Sequence, residues 1–284
     1  MEAALNKLKA EMLDDFHSGK IELPSMPEVV FKIREALYDK NRTFDDIAKV
    51  VQLDTALATR LIQVANSPAY RGAYPIESCK NAISRLGIDV TRNIVTGIVL
   101  RSAYQSRNPK TKSLISQAWQ QSCQVGALSH VIASFCPGIR HDRAMLAGQI
   151  HNIGVLPLLN YLQQHPSLME SPQRLQTVIR VLQGKLGSLL LKHWQFDEAF
   201  IDIPEKSRNS NYLCPGDKVD FIEVVMIARL HMRLTKNRDP AIIAEIQQSP
   251  AFCKMTISQF GEDASLQLLD EAKDEIDTLM RALN

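Results

Sequence analysis

The chain has 284 residues, 45% hydrophobic, 23% charged and 6% aromatic, a composition that excludes disorder and fibrous repeats and fits one large or two small globular domains. Lys and Arg total 33 against 31 Asp and Glu, so the formal charge is +2 and no overall basic field marks a nucleic-acid binder. Cys79, Cys123, Cys136, Cys214 and Cys253 contain no C-x-x-C pair, which excludes the common zinc and dithiol motifs and fits reduced thiols.

Met1 to Gly19 carries Glu2, Lys7, Lys9, Glu11, Asp14 and Asp15. It lacks the apolar run of a signal peptide, so an N-terminal helix over residues 1–22 and a cytoplasmic location are expected. Ser25, Pro27 and Glu28 read as a capping box opening a helix through Val30, Ile33, Leu37 and Tyr38. Thr43 and Asp46 repeat the signal before Ile47, Val50 and Val51. Asp54 is placed to cap a helix whose stripe Leu57, Ala58, Leu61, Ile62 and Ala65 ends at Asn66-Ser67-Pro68. Ser78 opens a fourth helix that Gly87 stops, and Asp89 is expected to cap Val90 to Tyr104.

The polar segment Gln105 to Lys110 predicts a hinge between two lobes. From Ser113 to Ile139 the chain has no Asp, Glu, Lys or Arg. Gln117, Gln120, Gln121, Gln124, Ser122, Ser129 and His130 would face hydrocarbon in a membrane span, so a buried central helix, about Lys112 to Phe135, is the better reading. A helix from Asp142 to Val155 follows, its end set by Gly154 and Pro157. Further helices are expected over Pro172–Leu182, Lys185–Trp194, Asp217–Leu234, Pro240–Gln248 and Asp263–Leu283. Between Ile203 and Val219, Pro204, Pro215 and Gly216 with a polar cluster predict a long loop of the kind that carries function. Glu262, Asp263, Asp270, Glu271, Asp274, Glu275 and Asp277 face only Lys273 and Arg281, an acidic helix surface. The 3.6-residue period throughout, with no alternating β-branched runs, predicts an all-α fold.

Chemistry-bearing motifs are sparse. Around the helix pair at Asp45 to Ala65, the bases Arg42, Lys49 and Arg60 are balanced by Asp45, Asp46 and Asp54, which gives no phosphate-seeking field for DNA. No H-x-x-x-H pair, Walker A loop, G-x-G-x-x-G turn or G-x-S-x-G elbow exists. His17 and His165 lie in polar surroundings, and His130, His141 and His231 lack a His or acid at the i+3 or i+4 position. His151-Asn152 is the informative pair. A His-Asp pair on a helix, joined by a His and an Asp from elsewhere, holds a catalytic divalent metal, but Asn152 offers an amide oxygen without charge.

Six ordered segments carry a family resemblance: Leu23-Pro24-Ser25-Met26-Pro27; Asp54-Thr55-Ala56-Leu57 with Val64-Ala65-Asn66-Ser67; Ser78 through Ala82-Ile83 to Leu86-Gly87; Trp119 through Ser122; Gly148 to Gly154; and Gly187 through Leu190 to Trp194. From about Leu23 to Leu234 the chain resembles the HDOD family, the HD-related output domains of bacterial signalling proteins. The resemblance implies a multi-helix HD-like bundle of two closely packed lobes. The HDOD region would span 23–234, with an N-terminal lobe over about 23–106 and an HD-like lobe over about 111–234. Residues 235–284 would form a C-terminal helical extension packed on the HD-like lobe.

HD enzymes are metal phosphohydrolases, and the resemblance places Gln121, His151, Asn152 and Arg229 at the positions of their ligands. Three of these four are unsuited to a metal, and Arg229 would set a cation where the cation should sit. The implied protein is a non-catalytic regulatory module without a metal or other cofactor. It would act on a signalling protein partner in trans, through the Ile203–Val219 loop or the acidic last helix, with the altered pocket open to a nucleotide or other anionic ligand. The alternative is a metal-dependent HD-type phosphohydrolase acting on a nucleotide or cyclic dinucleotide.

Overall fold

The computed structural model describes residues 10–12, 14–16, 18, 23–39, 43–105, 109–164, 171–260 and 263–284, and every regular element among them is helical. Residues 10–12 and 14–16 are helical, while the rest of the expected helix over 1–22 apart from Ser18, together with Arg42, residues 106–108 of the expected hinge, His165 and Glu262, lies outside the described residues.

The N-terminal lobe contains α1 (Glu28–Tyr38), α2 (Phe44–Gln52), α3 (Thr55–Ala65), α4 (Cys79–Leu86) and α5 (Ile88–Val99). Three starts follow from side-chain caps that satisfy the free amides of a first turn. Thr43 and Asp46 form the reciprocal box at α2, Asp54 accepts from the amides of Ala56 and Leu57 at 2.8 and 3.1 Å, and Ser78 accepts from Asn81 at 3.2 Å. Gly87, at φ 78°, ends α4 and begins α5 in a backbone conformation that disfavours a side chain. Two expectations fail here. Pro27 precedes α1 with no side-chain cap, so Ser25 forms no box, and Asp89 lies inside the first turn of α5, bonded to Arg92 at 2.8 Å. The helix also stops at Val99 and tightens into a 3-10 turn over Leu100–Ala103.

The second lobe is built around α6 (Pro109–Ala133), whose Val125, Ala127, Leu128 and Ile132 are buried. This is the expected central helix, and its charge-free stretch from Ser113 onward is buried in protein along its second half: Ser122 and Ser129 are fully covered. No helix among the described residues is long and apolar enough to cross a membrane. Against α6 pack α7 (His141–Ile150), α12 (Phe221–Asn237) and α16 (Lys273–Leu283).

The expected helix Asp142–Val155 is two elements: α7 ends at Ile150, residues 151–154 turn, and α8 (Val155–Gln164) begins. Pro157 stands third in α8 and does not follow a helix end. The amides of a first turn have no intrahelical acceptor, so a proline there removes nothing. The two helices expected between Pro172 and Trp194 are one, α9 (Pro172–His193). Short α10 (Glu198–Ile201) precedes the expected loop, and α11 (Ile203–Lys206) occupies its front. Asp220 and Glu223 form the reciprocal cap of α12, later than the expected start at Asp217. After α13 (Pro240–Gln247), α14 (Pro250–Cys253) and a 3-10 turn over Thr256–Phe260, the expected last helix divides at Ala272 into α15 (Ala264–Glu271) and α16.

Side chains and packing tie the lobes. α5 packs on α7, where buried Asp142 accepts from Asn93 at 2.5 Å and from Arg140 at 2.8 Å. Trp194 Nε1 donates to the Pro24 carbonyl at 2.9 Å, and Arg34 donates to the carbonyls of Trp194 and Gln195 at 2.9 and 3.0 Å. α16 lies across both α6 and α3.

Candidate functional site

The turn at 151–154 is set by close backbone approaches. A side chain on Gly148 would strike the Val125 carbonyl and Gly126 of α6, and one on Gly154 would strike the Gln183 carbonyl and the Gly187 amide of α9. Glycines at these points let α6, α7, α8 and α9 converge and leave His151 and Asn152, 1% and 6% exposed, facing the junction.

His151 Nδ1 lies 2.6 Å from the Gly148 carbonyl. A carbonyl only accepts, so Nδ1 donates and the neutral ring keeps its lone pair on Nε2. Burial first, then the charges of Arg229 and Arg208, hold the imidazole well below its usual protonation range, against the pull of the Gly148 bond.

Asn152 is the centre of an amide network. Its Nδ2 donates to Gln121 Oε1 at 3.4 Å, and its Oδ1 accepts from Gln183 Nε2 at 3.1 Å and from Arg208 Nη2 at 3.3 Å. Gln183 Nε2 also donates to the Asn152 carbonyl at 3.0 Å, while Gln183 Oε1 accepts from Arg208 Nη2 at 2.7 Å. Arg229, on α12, donates to the Ser207 carbonyl. Burial lowers Arg208 to about 10, and burial followed by the nearby Arg208 and Arg233 lowers Arg229 to about 9. Both guanidiniums are therefore charged at neutral pH, and neither has a carboxylate within ion-pair distance among the described residues.

Of the four residues singled out in the sequence, Gln121 and Asn152 bond directly and His151 adjoins them. Arg229 acts on His151 through its charge while its hydrogen bond goes to Ser207. Two members were not foreseen. Gln183 lies where the sequence suggested a break between helices, and Arg208 lies in the predicted loop, 56 residues from Asn152 in sequence, with no spacing rule to connect them. A lone cation in a polar loop was the available signal.

These residues do not fit a divalent metal. Neutral amides supply no charge to offset the cation, and two guanidiniums oppose it. Among the described residues, the group of three His, Cys, Asp or Glu side chains that converges is Cys214, Asp220 and Glu223, at the start of α12. There Asp220 and Glu223 cap the helix and Lys254 already pairs with Glu223 at 3.0 Å.

The fold and this junction define an all-helical bundle with a buried network of amides and an arginine where α6, α7, α8 and α9 converge. The HDOD domain model matches residues 23–209, and the chain belongs to the HDOD domain family. Among solved structures, a candidate metal-dependent phosphohydrolase from Shewanella amazonensis SB2B superposes with TM-score 0.83 at 23% identity, covering 99% of this chain and 100% of that one. An HDOD domain protein of unknown function from Geobacter sulfurreducens gives TM-score 0.70 at 21% identity, covering 98% and 99%. An uncharacterized protein of Treponema pallidum (strain Nichols) is 22% identical over 235 residues, 77% of this chain and 44% of that protein. The chain thus spans less than half the length of that relative.

Proposed function

We propose that this HDOD protein is a non-catalytic regulatory module of bacterial signalling that works by binding a protein partner, with the pocket around Asn152 left to an anionic ligand. The observation that supports the reading is the network Gln121–Asn152–Gln183–Arg208, in which amides and a guanidinium bind one another and contribute no carboxylate of the kind phosphohydrolase chemistry needs for its metal. Fold likeness to a candidate phosphohydrolase does not supply those ligands. Two surfaces suit a partner: the connection at 207–220, and α16, where Asp274 and Asp277 are exposed.

Elemental mass spectrometry on the purified protein, before and after incubation with Mn and Fe, tests the first half of the proposal. Substoichiometric metal, with no hydrolysis of nucleotides or cyclic dinucleotides above a His151→Ala control, is expected. Near-stoichiometric retained metal with activity lost in His151→Ala would overturn it in favour of an HD-type phosphohydrolase. For the partner, a pull-down with Asp274→Asn/Asp277→Asn and with the 207–220 segment replaced is expected to lose the bound protein in one of the two.

A further inference from the structure

On the outer side of the amide network, between α11 and α12, a cleft of about 110 Å³ is lined by Ser207, Arg208, Ser210, Arg229, Arg233 and Glu245, with methionines and a leucine behind them. The two guanidiniums that reach it from the network are held by carbonyl and amide oxygens alone, which orient them without neutralising them. The third, Arg233, is already paired with Glu245 at 2.8 Å, so each of those two charges cancels the other. Ser207 is 1% exposed and its hydroxyl has no partner, and Arg208 Nε is likewise buried and unpartnered. An unpartnered buried donor carries a cost that a ligand acceptor would remove.

We propose that this cleft is a phosphate-binding site, in which Arg208, Arg229 and the Ser207 hydroxyl hold the phosphate group of a small phosphomonoester. The chemistry selects an oxyanion: two fixed forks of N–H donors match tetrahedral oxygens, and a hydroxyl can add a third contact. The volume selects its size. A space worth about four waters of liquid volume takes one phosphate group and leaves a nucleoside outside, over Ser210 and the α12 surface. The inference rests on the reading that no metal occupies the junction, since a bound cation would compete for the same oxyanion from the opposite side.

The test is calorimetric titration of the whole chain with inorganic phosphate and separately with a nucleoside monophosphate, against chloride at equal ionic strength, with metal content measured on the same samples. Saturable phosphate binding is expected, weakened at least about tenfold in Arg208→Gln and in Arg229→Gln and changed less than about twofold in the double variant Arg233→Gln/Glu245→Gln, which removes both members of the cancelling pair. Tighter binding of the nucleotide than of inorganic phosphate would support a phosphomonoester as the ligand; equal or weaker binding would overturn that part of the proposal and leave the free ion. Since Arg229 is half buried, each variant is also followed by thermal unfolding, and the phosphate-induced rise in Tm should vanish in Arg208→Gln and Arg229→Gln even where the fold survives. Metal-free protein that does not distinguish phosphate from chloride, or arginine variants that bind as wild type does, would overturn this proposal alone. Stoichiometric metal would overturn the non-catalytic reading beneath it.

Discussion

His130, His151 and His231 are 3%, 1% and 0% exposed, and burial is the first cause holding each below the usual imidazole range, to about 4 for His130 and His231. The unfolded chain takes up protons below pH ~6.5 that these folded imidazoles refuse, so their contribution to stability is present above that pH and is lost as pH falls toward 4. At pH 5 the loss is on the order of 2 kcal/mol for a histidine held near 4, as His231 is. His130 is the more complicated case, because Tyr70, His141, Asp142 and Glu275 all face it and burial raises the Glu275 carboxyl, which works in the opposite sense. His231 is cleaner: its Nδ1 donates to the Ile227 carbonyl at 2.9 Å and its Nε2 has no partner. His231→Leu should therefore change stability little at pH 7.5 and remove its share of the acid loss, and urea unfolding at pH 7.5 and 5 reads both. An acid loss equal to that of wild type would contradict this account. At this scale the sequence was least legible. His151 and Asn152 could be singled out because adjacent metal-ligand types have a known chemistry, but Gln183 and Arg208 join them only through tertiary approach.

Helix starts were the most legible level, because a cap is a local bond between residues two or three apart. Thr43, Asp54 and Ser78 cap as their spacing predicted, and Asp54→Ala, which frees two amides, should cost about 1 kcal/mol in denaturant unfolding. Helix ends were less legible, since they depend on what lies opposite. Pro157 looked like a stop signal and is tolerated in a first turn, while α9 runs on through Gly184, where Pro204 and Glu205 come close and make a side chain tight. Gly154 is the sharper case. Gly154→Ala would push a methyl group into the Gln183 and Gly187 backbone, which has no rotamer to move aside, so a loss of roughly 3 kcal/mol or a failure to fold is expected. A circular dichroism melt that matched wild type would show that the α8–α9 contact opens to admit a methyl group.

The whole molecule is legible in class and not in wiring. Periodicity identified an all-helical chain, yet nothing local foretold that α16 would lie across α6 and α3, or that Arg34 would reach the end of α9. These ties predict that the lobes unfold together. Urea curves from tryptophan fluorescence, reporting on Trp119 in α6 and Trp194 after α9, and from far-ultraviolet dichroism should coincide, whereas two separated transitions would mean independent lobes. The bond from Trp194 to the Pro24 carbonyl closes a span of 170 residues. A ribosome adding about 5–20 residues per second needs roughly 10–35 s to produce the second partner after the first. Through that interval the segment before α1 waits without its docking surface, so the order of synthesis delays the closing of the two lobes until the end of α9 has emerged.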